Sequence, residues 1–382
     1  MAKINLNQNR FFEPDKDTRS IARELYLNVK KLPIISPHGH VDPKILAEDK
    51  NFPNPSELLI MPDHYIFRMF YSQGIKLESL GIPTKDGSKI EANPRKIWQI
   101  FCENYFLFSG TPTKMWLSYV FKEIFGIDDH PNENNSMKLY DYIQELLMQD
   151  RFRPRSMFDQ FNIETLCTTE SADDKLIHHT AIRNSGWDGH VITAFRPDSV
   201  MNIEAKEWKQ EIEKLSISSG INIDSYKSFL HAIENRREFF KKMGATSTDQ
   251  GVISPYTGRV SDSLADEIFQ RALKSNLNQD DQEIFIGHML MEMARMSTED
   301  GLVMQIHAGS RRNHNQFIFN RFGPDKGADI PVKTDFTNNL HSLLNEFGNN
   351  IDFSLIIFTL DESVYARELA PLAGHYPSVK LG

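Results

Sequence analysis

The feature that most constrains this chain is an alternation. Short, mostly apolar runs recur along it: Leu32-Pro33-Ile34-Ile35-Ser36-Pro37, Ile163-Glu164-Thr165-Leu166-Cys167-Thr168-Thr169, Val191-Ile192-Thr193-Ala194-Phe195, Leu302-Val303-Met304-Gln305-Ile306-His307, Phe353-Ser354-Leu355-Ile356-Ile357-Phe358 and Val379-Lys380-Leu381. Amphipathic helical patterns separate them. Continuous apolar runs are what strands buried on both faces require, and their alternation with helices is the βαβ signature of a parallel sheet. At 382 residues the chain can hold one α/β barrel of roughly 250 residues plus an insertion of about a hundred. The expectation is an α/β, TIM-like (β/α)8 barrel over 1–382 as a single domain.

The segment between the first two strands is too long for one crossover. Asn93-Pro94 reads as a helix cap and first turn, followed by Ile97, Trp98, Ile100 and Phe101. Thr111-Pro112 opens a second helix, with Trp116, Val120 and Phe121 expected inward and Gly126 closing it. Ser136 opens a third, with Leu139, Ile143, Leu146 and Leu147 on its apolar face. Residues 75–150 therefore read as a helical insertion after the first strand. A second helical excursion is expected from Ser261 to Met296.

Composition narrows the class. Lys and Arg total 43 against 52 Asp and Glu, a net charge of −9. This argues against nucleic-acid or anionic-membrane partners. Two cysteines, Cys102 and Cys167, exclude a disulfide scaffold and a four-cysteine zinc site, and point to a reducing compartment. The first residues carry no signal-peptide apolar core. The longest apolar stretch, Phe353 to Leu360, is far short of a membrane span. A soluble cytoplasmic protein is expected, with a homo-oligomer open as an option.

Polar side chains gather where the strand candidates end, the face on which parallel barrels build active sites. In His38-Gly39-His40 the two imidazoles are two residues apart, so they point the same way and can converge on one divalent ion such as zinc. Taken alone, they can equally be two polar residues at a strand end. His307 ends another strand and can join them, or bond to backbone. Arg196, before Pro197-Asp198, can clamp a carboxylate bidentately or pair with Asp198. Arg312, beside Asn313, has the same two readings. Asp63 reads as the cap of a helix whose first turn carries His64 and Tyr65, available for acid–base work or for packing. His178-His179, Arg236-Arg237 and Lys241-Lys242 read as solvated surface. No P-loop, Gly-x-Gly-x-x-Gly or Gly-x-Ser-x-Gly segment is present.

Several segments together resemble the uronate isomerases (glucuronate isomerases) of the amidohydrolase superfamily. They are Ser36-Pro37-His38-Gly39-His40, Pro62-Asp63-His64-Tyr65 with Arg68, Cys167-Thr168-Thr169, Arg196-Pro197-Asp198, Gln305-Ile306-His307-Ala308-Gly309 with Arg312-Asn313-His314-Asn315, and Gly323-Pro324-Asp325. The resemblance implies aldose–ketose isomerisation of hexuronates by proton transfer through an enediol. It implies His38, His40 and His307 as metal ligands, with zinc the expected ion. Tyr65, His64 and Arg312 would be catalytic, and Arg196, Arg312, Asn313 and His64 would bind substrate. Two departures stand out. Gln250, in Thr248-Asp249-Gln250, replaces a histidine usual in the family. The family's last strand, with an Asp-x-Arg segment, has no counterpart, so a C-terminal strand is expected to be missing. A metal-dependent amidohydrolase and an inactive truncated remnant or binding module are the alternatives.

Overall fold

The computed structural model describes residues 3–382. The chain divides into two compact units. One comprises Met1–Ile34, Glu48–Ile163 and Arg312–Asp329, the other Ile35–Ala47, Glu164–Arg311 and Ile330–Gly382.

The first unit is helical. Its helices start where caps and prolines place them. Asn93 accepts from the Arg95 amide ahead of Pro94–Glu103, and Thr111 accepts from the Lys114 amide ahead of Pro112–Tyr119. A third helix runs Ser136–Leu147. Aromatic side chains fill the core: Phe70, Trp98, Phe101, Phe108 and Phe121 are fully buried. The Trp98 indole N–H donates to the Ser136 carbonyl (2.9 Å), which satisfies its one polar atom in the dark. Trp116, expected inward, is 38% exposed. Leu117 and Phe121, four residues apart, form the buried stripe instead, and Trp116 lies at its rim.

The second unit holds a seven-stranded sheet in sequential order: β1 (Ile34–Ser36), β2 (Ile163–Ser171), β3 (His190–Arg196), β4 (Ser247–Val252), β5 (Val303–Ala308), β6 (Leu355–Thr359) and β7 (Val379–Leu381). Each pairing from β2 to β7 is parallel. Helices such as Tyr226–Lys242 and Asp281–Asp300 connect the strands, as the α/β reading requires. β4, Ser-Thr-Asp-Gln-Gly-Val, has almost no apolar content, yet five of its six residues are buried. It sits mid-sheet between β3 and β5, so ladder hydrogen bonds and neighbours, rather than its own hydrophobicity, make it a strand.

Parity and register sort the side chains. Thr169, Ala194, Arg196, Ser247, Asp249, Gln305, His307 and Phe358 share one face. Phe195, Met304, Ile306, Leu355 and Ile357 share the other and join the core with the helices. Two groups read as solvated are not. His179 is 4% exposed, and Arg236 and Arg237 are 5% and 1% exposed. Each is held by a tertiary partner that periodicity does not reveal. Arg237 pairs with Asp300 (2.7 Å), and Arg236 donates to the Ala172 (3.0 Å) and Asp174 (2.7 Å) carbonyls. Lys241 and Lys242 are exposed.

Candidate metal centre and substrate-binding segments

In the sheet unit, the loop after β1, the middle of β4 and the end of β5 bring together His38, Asp249 and His307. One donor atom from each lies within 4.8 Å of the others. His38 and His307 rings are 4.4 Å apart, and His307 stacks on Phe358 of β6 at 4.4 Å and 13°. His40 Nε2 lies 3.2 Å from His38 Nε2. The backbone between those two histidines is pinned to β2. The Thr169 hydroxyl donates to the Gly39 carbonyl (3.0 Å), and a Cβ at residue 39 would stand 3.1 Å from the Cys167 carbonyl oxygen. Gly39 is thus the residue that permits this close approach.

Asp249 is fully buried, and neither of its carboxylate oxygens makes a hydrogen bond of good geometry. His307 Nε2 is 3.2 Å from Oδ1 and Arg196 Nη1 is 3.3 Å from Oδ2, both at poor angles. His307 Nε2 is likewise without a hydrogen bond. A buried carboxylate beside imidazole nitrogens in this state is costly by itself, and a divalent cation satisfies it. The donor set fits one divalent ion. Burial pushes His307 down to about 4, against the pull of Asp249, which keeps its imidazole neutral and available as a ligand.

Asp249 was not among the residues singled out from the sequence. Its signal was its place in the Thr248-Asp249-Gln250 segment, in a strand too polar to be found by apolar pattern. Gln250, by contrast, faces away from Asp249. It is fully buried and its amide donates to the Thr248 hydroxyl (2.8 Å).

Arg196 is bound by Asp198 (Nε to Oδ2, 2.8 Å), the pairing weighed against carboxylate clamping, and it also approaches Asp249. Asp198 in turn accepts from the Gly251 amide (3.0 Å). Burial pushes the Asp198 carboxyl up, opposed by Arg196 and that amide. Cys167 is inert, because burial lifts its thiol to about 12.

The helical unit carries the other segments. Asp63 caps the helix His64–Ser72, accepting from the Tyr65 and Ile66 amides. His64 and Tyr65 rings are 4.5 Å apart, Arg68 lies 4.9 Å from the Tyr65 ring, and Tyr65 is 54% exposed. The 312–329 segment packs on this helix. A Cβ at Gly327, which has φ +69°, would stand 2.9 Å from the His64 carbonyl oxygen. The Asn313 backbone N–H donates to the Asp329 carboxylate (2.8 Å), and Arg312 is 3.6 Å from the same carboxylate with its side chain 49% exposed. Asn315 is structural, since it caps Gln316–Phe322.

A glucuronate isomerase family model matches residues 6–381. The chain belongs to the glucuronate isomerase family. It is 51% identical to a uronate isomerase of Nostoc punctiforme over 99% of its length and 80% of the relative's, and 48% identical to one of Brucella canis over 99% and 81%. Its fold superposes on the crystal structure of glucuronate isomerase from Caulobacter crescentus with a TM-score of 0.96 at 47% identity, covering 100% of this chain and 79% of that one. A uronate isomerase from Thermotoga maritima matches with a TM-score of 0.88 at 25% identity, over 95% and 78%. Among the described residues, no helix is long and apolar enough to cross a membrane.

Proposed function

We propose that the chain is a uronate isomerase, interconverting D-glucuronate with D-fructuronate and D-galacturonate with D-tagaturonate. The buried, unsatisfied Asp249 between His38 and His307, in a chain of this family, carries the reading. His38, Asp249 and His307 would hold a divalent ion, zinc on the chemistry of the donors, with His40 as a further ligand. When bound, that ion supplies positive charge where an enediolate develops.

The chain's own residues do the rest. His64 takes the proton from C2 and returns it to C1, while Tyr65 moves a proton from the C2 hydroxyl to the C1 oxygen, so that the enediol forms and collapses to the ketose. Arg312 holds the far carboxylate, since its guanidinium is half-exposed and only loosely paired with Asp329. Asn313 hydrogen-bonds substrate hydroxyls. Arg196 serves the substrate carboxylate less directly, because Asp198 already occupies it. Fixing the carboxylate sets which carbon meets the proton-transfer groups. The chain is read as one metal-dependent barrel domain with 75–150 inserted, and as a cytoplasmic enzyme.

The test is turnover of each uronate by the 382-residue chain, with zinc or manganese added and with chelator. Metal-dependent conversion of either uronate is expected. Hydrolysis of a lactone or amide without uronate turnover would overturn the proposal in favour of a metal-dependent hydrolase.

A further inference from the structure

The helix His64–Ser72 carries a third polar side chain beside His64 and Tyr65. Arg68 comes one helical turn after them, so the three stand on one side of the helix. The Arg68 guanidinium carbon is 4.9 Å from the centre of the Tyr65 ring, and the His64 ring is 4.5 Å from the same ring. Tyr65 therefore packs beside an imidazole and a cation while staying open to substrate, at 54% exposure.

Arg68 is exposed, yet its stem is seated. A Cβ at Gly327 would stand 2.9 Å from Arg68 Cδ and 3.0 Å from Arg68 Cβ. Gly327 has φ +69°, which favours glycine, and the missing side chain lets the loop close on the arginine. The guanidinium has no acid. Among the described residues it makes no ion pair and no side-chain hydrogen bond, and its recorded partner is the Tyr65 ring. Two acids close by in sequence are engaged elsewhere. Asp63 caps the helix, and Asp329 takes the Asn313 N–H and faces Arg312.

The proton transfer gives this cation a use. Tyr65 gives its phenolic proton to the C1 oxygen and takes one from the C2 hydroxyl, so its ring gains negative charge between the two transfers. A cation over the ring is attracted more strongly then than to the neutral phenol, and an interaction that strengthens during the reaction lowers its barrier. The same contact limits the orientations of a half-exposed ring. We propose that Arg68 is the positioning residue for Tyr65, holding its ring and stabilising the charge it carries during proton transfer. The inference rests on the uronate isomerase reading, in which Tyr65 moves that proton.

Arg68→Met keeps a stem against Gly327 and removes the cation. The site is exposed, so the fold should survive, which a thermal melt checks. Arg68→Gln is the second variant should methionine perturb the fold. With either uronate, kcat should fall about fivefold and KM should stay within about twofold. Arg68→Lys returns a cation and should recover part of the loss. In a Tyr65→Phe background, which has no phenol to serve, Arg68→Met should change kcat by less than about twofold. Equal losses in the two backgrounds overturn the proposal, as does a rise in KM at unchanged kcat, which would make Arg68 a substrate contact. The ring is read without turnover by fluorine NMR of protein labelled with 3-fluorotyrosine, the Tyr65 resonance being assigned by its absence from Tyr65→Phe. Arg68→Met should shift that resonance and leave the other tyrosines in place, and no shift overturns the proposal. If the wild-type chain converts neither uronate, the uronate reading fails and the fluorine resonance alone decides the contact.

Discussion

The Thr169 hydroxyl donates to the Gly39 carbonyl across 3.0 Å, so the second strand holds the backbone between the two imidazoles of His38-Gly39-His40. Thr169→Val removes that bond and leaves the side-chain shape nearly intact. Metal affinity should fall about 10–100-fold, as for other groups that orient a ligand from behind. Thr169→Ser should recover most of it. Competition with a fluorescent chelator measures both, and an unchanged affinity in the valine variant would remove Thr169 from this role.

Asp249→Asn should cost more metal affinity than Thr169→Val if the proposed centre holds, because it removes a proposed ligand rather than its support. Apo-protein stability should rise or stay level, since the variant relieves a buried, unsatisfied carboxylate. Chelator competition and thermal melts of the apo form check the two halves separately. A loss of apo stability would mean that Asp249 is satisfied without metal.

Gln250→His introduces the histidine that the family resemblance leads one to expect, yet Gln250 points to the face opposite Asp249 and bonds Thr248. The substitution should change KM for either uronate by less than about threefold, below the cost of one hydrogen bond at the substrate. Its effect should appear in thermal stability, because the position is fully buried. A large change in KM with unchanged stability would place residue 250 at the substrate.

Glu170 lies on the helix-facing side of β2. Its Oε2 accepts from the Thr168 hydroxyl (2.8 Å) and from the Thr193 hydroxyl, and His179 Nε2 is 3.7 Å away. Burial raises its carboxyl from 4.5 to about 7, while burial lowers His179 from 6.5 to about 4. The signs oppose. Between about 4.5 and 7 the folded state holds a proton on Glu170 that the unfolded state has lost, so Glu170's contribution falls as pH rises through that window. His179 does the reverse between about 4 and 6.5. Glu170→Gln leaves only the second effect. Wild type minus variant stability, from urea melts, should therefore decline by up to about 3 kcal/mol from pH 4.5 to 7. A flat difference would mean that Glu170 titrates normally.

Arg237 is 1% exposed and bonds Asp300 and Ser297. Arg237→Ala should destabilise by about 3 kcal/mol, because it empties the space of a fully buried side chain and removes its bonds to Asp300 and Ser297. Lys242→Ala, at an exposed site five residues on, should cost under about 1 kcal/mol. Denaturant titration distinguishes them, and equal costs would return Arg237 to the solvated face.

The strands with apolar runs, the capped helices at Asn93, Thr111 and Asp63, and the histidines at strand ends were legible because each rests on local physics. Side-chain alternation, a missing proline N–H and a capping carboxylate are written into a few consecutive residues. The family segments were legible for the same reason.

What the sequence by itself determined is the α/β class, the glucuronate isomerase family, and His38 and His307 as candidates for one metal centre. Only the tertiary structure decided which acid joins them, because Asp249 lies in a strand whose polarity hides it and comes to His38 and His307 only through sheet register. Only it sent Gln250 to the opposite face and buried His179 and Arg237. Burial and pairing are properties of what packs against a residue from distant positions in the chain, and no local pattern encodes them.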